Sequence, residues 1–199
     1  ISGIVPLGMP GFEELSKVGY DYQPTKAAAL LAEAGFPNGK GLPEITMSTT
    51  HAYQDLCEYM QGQLAEIGKK IKHEINQAAQ HRQMVSKQQL SFFRGSWIGD
   101  YADAENYLSL FRSTNKAPIG PNYTHYSNLN FDSLYNKAMR TPLSEERERT
   151  YHQMDSMMMA ESPVIILYYD KVLRLTQNNI EGLHMNAMNL ITLKSVRKK

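Results

Sequence analysis

The spacing of apolar and polar positions changes several times along the chain, and each change marks an element. Pro24-Thr25-Lys26 opens an Ala/Leu-rich stretch ending at Gly35. Proline in the first turn and glycine at the stop predict a helix between them. The turn-rich Phe36–Pro43 leads into Glu44–Thr49, where Ile45 and Met47 alternate with polar neighbours as on a strand. Leu56, Met60, Leu64 and Ile67 follow a helical stripe closed by Gly68, and Ile71, His73 and Ile75 then alternate with Lys70, Lys72, Glu74 and Asn76 as on a half-buried strand. Ala78–Gln88 reads as a helix and Leu90–Ile98 as another strand. This β-α-β-α-β order favours parallel pairing with helices on the sheet. The predicted class is α/β, a mixed, mostly parallel sheet flanked by helices.

The second half is looser. Asp103–Phe111 predicts a short helix, Arg112–Asn130 a loop rich in Gly, Pro and Asn, and Phe131–Arg140 and Ser144–Glu161 two further helices. Ser144 suits an N-cap, with Glu145 and Glu146 placed well for the helix dipole. Val164–Tyr169 reads as a buried strand, and Lys171–Lys199 as short strands and turns with a basic, solvated end. The Gly- and Pro-rich residues 1–24 read as a connection.

Composition narrows the chemistry. The 199 residues carry 21 basic and 20 acidic side chains, a formal net charge of +1. That balance argues against nucleic acid or an acidic membrane as the main partner. A single Cys (Cys57) excludes an intrachain disulfide and any multi-thiolate metal site. The longest apolar run, Val164–Tyr169, falls far short of the ~20 residues of a membrane span. No serine-hydrolase elbow, zinc-protease helix, dinucleotide fingerprint or P-loop is present. The six His (51, 73, 81, 125, 152 and 184) show no i, i+4 pair, so no metal site is assigned. A metal-dependent enzyme assembled from these dispersed His is the alternative from a different class. His73 reads as a hydrogen-bonded core or rim residue, Cys57 as a buried structural thiol, and Met154, Met157, Met158 and Met159 as core packing. Asp103 reads as a helix cap with Glu105 in the first turn, since the acidic spacing is wrong for an EF-hand. Asn122-Tyr123-Thr124 is a formal glycosylation triplet.

The most informative segment is Phe92–Asp103. An apolar strand runs into Gly99 and then Asp100, so the acid emerges at the carboxyl end of an expected parallel strand, where open α/β sheets bind ligands. Trp97 offers a flat apolar wall with one donor, while Gly95 and Gly99 allow close backbone approach. Arg94, inside an aromatic strand, requires a partner, either a protein carboxylate or a ligand group. An Arg–Asp structural pair with a core Trp and a ligand site are equal readings of this pattern.

Trp97-Ile98-Gly99-Asp100-Tyr101 with Asp103 resembles the C-terminal lobe of dipeptide- and oligopeptide-binding proteins, the family 5 type of extracellular solute-binding proteins serving ABC importers. Collinear matches support it: Val5-Pro6 with Gly8–Gly11, Pro24–Ala27 through Leu30–Phe36, Gln63–Gly68 with Lys70-Ile71, Phe131–Leu134, Glu146-Arg147 with Tyr151, Ser162–Tyr169 and Ile180–Leu183. The resemblance implies one lobe of a two-lobed periplasmic-binding-protein fold that performs no catalysis and needs no cofactor. It implies residues 1–175 as the ligand-binding lobe and 176–199 as a segment returning toward an N-terminal lobe outside this sequence. The chain begins at Ile1, and the resemblance implies that the front half, with its signal or lipid anchor, precedes it.

The partners so implied are a peptide ligand and an ABC permease, in the periplasm or at the outer face of the cell membrane. By the same resemblance Asp100 holds the peptide ammonium, the strand around Ser96–Ile98 pairs with the peptide backbone, Trp97 lines a pocket, and Arg94 lies near the peptide; Tyr101 completes the expected set. Ala104 stands where family members often carry Pro. Relatives that bind nickel complexes, haem or oligosaccharides leave a non-peptide solute open, and a sensor or chaperone role on the same fold is a further alternative.

Overall fold

The computed structural model describes residues 3–12, 20–186 and 188–199. The chain groups into two compact units, an inserted unit, Asp21–Ser96, and a flanking unit made of the residues up to Tyr20 together with Trp97–Lys199.

The inserted unit opens with α1 (Pro24–Glu33), which carries Pro at its start and is followed by Gly35 at φ +90°. β1 (Ile45–Thr50) and β2 (Ile71–Asn76) pair in parallel, in register from Ile45↔Ile71 to Thr50↔Asn76. The crossover between them is α2 (Gln54–Glu66), and α3 (Ala78–Ser86) follows β2. Fully buried Cys57 packs with Met47 and Ile71, joined by Met60, Leu64 and Phe92. This buried thiol and the helical stripe match the pattern reading. Gly39 and Gly68 meet back to back. A Cβ on Gly39 would lie 1.9 Å from the Gly68 carbonyl oxygen, and both residues hold positive φ, so only glycine fits.

The expected strand Leu90–Ile98 is reduced to one parallel bridge, Ser48↔Phe93. Its two bonds are Ser48 N–H to Phe92 O and Arg94 N–H to Ser48 O, each 2.9 Å. β-Propensity alone makes no strand where the backbone finds no neighbour. Beyond Arg94, the main chain of Gly95 and Ser96 takes no hydrogen bond among the described residues. His73 also departs from expectation. It is half-buried, and its Nε2 has no hydrogen-bond partner among the described residues.

The flanking unit is helical at its centre. α4 (Glu105–Leu108) continues as a 3₁₀ turn, Ser109–Phe111, and α5 (Leu129–Arg140) packs on α6 (Glu145–Glu161). Asn128 caps α5 by accepting from Asn130 and Phe131 N–H, and Ser144 caps α6 by accepting from Arg147 N–H. The core joins Val5, Met9, Leu108, Phe111, Phe131 and Tyr135 to the α6 methionines Met154, Met158 and Met159, with Met157 packed at its margin. Phe111, Tyr126 and Phe131 meet edge to face.

The glycosylation triplet is consumed by the fold. Asn122 is fully buried, and its amide donates to the Arg112 and Tyr126 carbonyls. Val164–Tyr169, expected as a strand, carries no ladder among the described residues. Past it, β3 (Ile180–Glu181) pairs antiparallel with β4 (Arg197–Lys198).

Gly3–Val5 is clamped to distant parts of the same unit. Gly3 N–H donates to the Tyr169 hydroxyl at 3.1 Å, and that hydroxyl donates back to Gly3 O at 2.6 Å. Asp155 Oδ1 accepts from Ile4 N–H at 2.9 Å. A Cβ on Gly3 would fall 2.0 Å from Asp155 Oδ2. Burial raises the Asp155 pKa, against the pull of the Ile4 and Val5 amides.

Candidate functional site

In the flanking unit, the segment Trp97–Tyr101 has no regular secondary structure, yet the residues after it hold it at several points. The Trp97 indole Nε1–H donates to Asn106 Oδ1 at 2.9 Å, and Asp100 N–H donates to the same oxygen at 3.2 Å. Gly99 N–H donates to the Tyr107 hydroxyl at 3.2 Å. A Cβ on Gly99 would lie 3.2 Å from that hydroxyl, so what comes close to Gly99 is a side chain and not the second backbone expected there, and at Gly95 the nearest neighbour is the Phe93 ring at 3.7 Å. Tyr101 and Tyr135 both donate their hydroxyls to the Glu105 carboxylate. Burial and this carboxylate push both phenol pKa values up, which keeps the hydroxyls protonated as donors. Burial raises the Tyr107 pKa too, against the opposing Gly99 amide.

α4 is itself anchored. Asp103 Oδ1 accepts from Glu105 N–H at 2.9 Å, from one residue further out than the cap position expected of it, which Ala104 holds, while Glu105 lies in the first turn as expected. Its other oxygen pairs with Arg147 at 2.9 Å, and Arg147 Nε donates to the Tyr151 hydroxyl at 2.7 Å. Burial works against the Arg147 charge, but the Tyr151 hydroxyl and Asp103 outweigh it and raise its pKa. Ala104 is buried completely.

Two acids three residues apart therefore differ in kind. Asp103 spends both oxygens on the fold. Asp100 is exposed, and among the described residues its carboxylate takes no hydrogen bond or ion pair. The main chain of Trp97 and Ile98 is likewise unpaired among the described residues, and the Ile98 side chain is 82% exposed. Trp97 is half-buried, packed against the core. Such a segment offers backbone donors and acceptors, an apolar wall and a bare carboxylate, a set suited to an extended ligand with a cationic end.

In the inserted unit, Arg94 has found a partner of a third kind, neither a carboxylate nor a ligand. Its guanidinium lies over the Tyr53 ring, 3.3 Å from the centroid, and Nη1 donates to Ser96 Oγ at 3.3 Å. His81 Nε2 bonds the Arg94 carbonyl oxygen at 3.1 Å. Ser96 is otherwise exposed. Sequence reasoning missed Asn106, Tyr107 and Tyr53. The available signal was an Asn set between Glu105 and Tyr107 in the expected short helix.

Among the described residues no group of three or more His, Cys, Asp or Glu is arranged to hold a metal ion. No helix among the described residues is long and apolar enough to cross a membrane.

Residues 1–118 match the family described as bacterial extracellular solute-binding proteins, family 5 Middle. The glutathione-binding protein GsiB of Salmonella typhimurium is 30% identical over 169 residues, covering 82% of this chain and 33% of that protein. GsiB of Shigella flexneri is 29% identical over 187 residues, covering 91% of this chain and 36% of that protein. The chain thus spans about a third of the length of these curated relatives. The periplasmic binding protein DppA of Helicobacter pylori, in complex with peptide STSA, superposes with a TM-score of 0.73 at 26% identity, covering 82% of this chain and 32% of that one. HbpA2 of Haemophilus parasuis shares the fold, with a TM-score of 0.78 at 21% identity over 95% of this chain and 38% of that one. The expected architecture, a lobe of the periplasmic-binding-protein fold, is thereby found. This chain belongs to the bacterial extracellular solute-binding proteins of family 5.

Proposed function

We propose that these residues form the ligand-gripping lobe, residues 1–175, of a peptide-binding component of an ABC importer. It performs no chemistry on its solute. The complete protein works on the outer side of the cytoplasmic membrane, in the periplasm or tethered by a lipid anchor, and hands peptide to a membrane permease. The observation that carries this reading is the exposed Asp100 carboxylate, free of partners among the described residues, beside the unpaired main chain of Trp97 and Ile98. An ammonium gives that carboxylate a charge-assisted partner, and the backbone groups give a peptide main chain its ladder.

A relative named for glutathione and a solved structure in complex with peptide STSA support this, since both ligands are peptidic. Trp97, Ile98 and Tyr101 shape the wall around Asp100. The part of Arg94 and Ser96, which belong to the other unit, rests on the family resemblance.

Asp100→Asn in the complete polypeptide tests the reading by calorimetry with trialanine and N-acetyl-trialanine. Trialanine is expected to weaken about tenfold or more, because the ammonium loses its counter-charge. The acetylated peptide is expected to bind parent and variant alike. Equal trialanine affinity for parent and variant overturns the role of Asp100.

A further inference from the structure

We infer that Asn106 is the positioning residue of this site, the one side chain that sets both the Trp97 wall and the Asp100 carboxylate. This deepens the peptide reading above and rests on it. Asn106 sits in α4 with only 4% of its surface exposed, among the apolar Ala104, Tyr107 and Leu108. A buried amide at such a position is costly unless its hydrogen bonds are made. It makes them to the loop. Both neighbours of Oδ1 are N–H groups, the Trp97 indole and the Asp100 main chain. Two donors can share only an oxygen, so the amide's orientation is fixed by chemistry. One atom thus ties a side chain nine residues upstream and a backbone six residues upstream to the same point.

The consequence is geometric. Asp100 has no side-chain partner among the described residues, so its carboxylate is aimed by its backbone, and its amide is held by Asn106. The wall and the charge are therefore fixed relative to each other by a shared acceptor. A ligand ammonium seated on Asp100 meets a preset indole face, and less ordering cost falls on binding. Tyr107 secures Gly99 and Glu105 secures Tyr101, but neither bond reaches both Trp97 and Asp100.

The decisive variant is Asn106→Leu, which keeps the branched outline of the side chain and removes the acceptor. Trp97 is half-buried and Asp100 exposed, so the released donors find water and the fold survives. If it does not, Asn106→Ser takes its place, because a serine hydroxyl is too short to span both donors. Asn106→Asp keeps an oxygen facing them and serves as the conservative rescue.

Two readouts are taken on the complete polypeptide. Trp97 is the single tryptophan of this chain, and comparison with Trp97→Phe identifies its indole N–H resonance. In Asn106→Leu that resonance is expected to move, with exchange about tenfold faster. Calorimetry is expected to show trialanine about tenfold weaker, with its advantage over N-acetyl-trialanine largely lost. Asn106→Asp is expected to restore both to within about threefold of the parent. A shifted indole with unchanged trialanine affinity and unchanged discrimination overturns the inference and leaves the peptide reading standing. A parent that binds neither peptide overturns the peptide reading itself, and this inference with it, before any variant is compared.

Discussion

The last residues of the inserted unit and the first of the flanking unit follow one another in sequence but are fixed by different means. At Phe92–Arg94 the main chain does the holding, through two bonds to Ser48 and one from His81 to the Arg94 carbonyl. At Trp97–Tyr101 the side chains of Glu105, Asn106 and Tyr107 do it. A backbone ladder accepts many side chains, because every residue but proline offers the same groups. A loop held by side chains depends on particular residues, since each anchor is a single atom of defined chemistry. The first arrangement suits a support and the second suits a site, where small shifts of a charge matter.

This contrast can be broken by substitution. The largest effects are expected from Leu108→Ala and Met47→Ala, which empty the fully buried core positions of the two units and cost about 2–5 kcal/mol each in urea unfolding. They should differ in one respect. Leu108→Ala loosens α4 and so shifts Trp97 emission in the folded protein, whereas Met47→Ala leaves it alone. Unchanged emission in Leu108→Ala would mean that the loop does not rest on α4.

A smaller loss is expected from Tyr107→Phe, which deletes only the acceptor of the Gly99 amide. The orphaned buried amide costs about 1–3 kcal/mol, and its hydrogen exchange should quicken. Smaller still is Tyr53→Leu, which removes the ring beneath Arg94. It should cost about 0.5–1 kcal/mol by the same unfolding assay, with the Arg94 amide still protected by Ser48. A greater loss from Tyr53→Leu than from Tyr107→Phe would reverse the comparison.

Much of this architecture is legible in the sequence where a local rule dictates it. β2 occupies Ile71–Asn76, although the expected alternation fails at its end, where Ile75 is exposed and Asn76 buried, and Pro24, Gly35, Gly68 and Ser144 mark real helix ends. The failures share a cause. Leu90–Ile98 and Val164–Tyr169 have strand composition, but pairing needs a neighbour that composition does not reveal. The site divides in the same way. Trp97 and Asp100 stand out because their chemistry is unusual after an apolar run, while Asn106 and Tyr107 act through contacts with residues earlier in the chain. Arg94 was visible as a charge needing company, yet nothing in the pattern pointed to Tyr53, which lies 41 positions earlier.

The clamp on Gly3 and Ile4 bears on how the flanking unit assembles. Its bonds join residues separated by 166 and 151 positions, so closing them costs loop entropy that no local contact repays. They need α6 and the segment carrying Tyr169 in place, which predicts that they form late in folding. The same long reach makes the two amides sentinels. Their exchange with solvent reports the opening of contacts between residues far apart in the sequence.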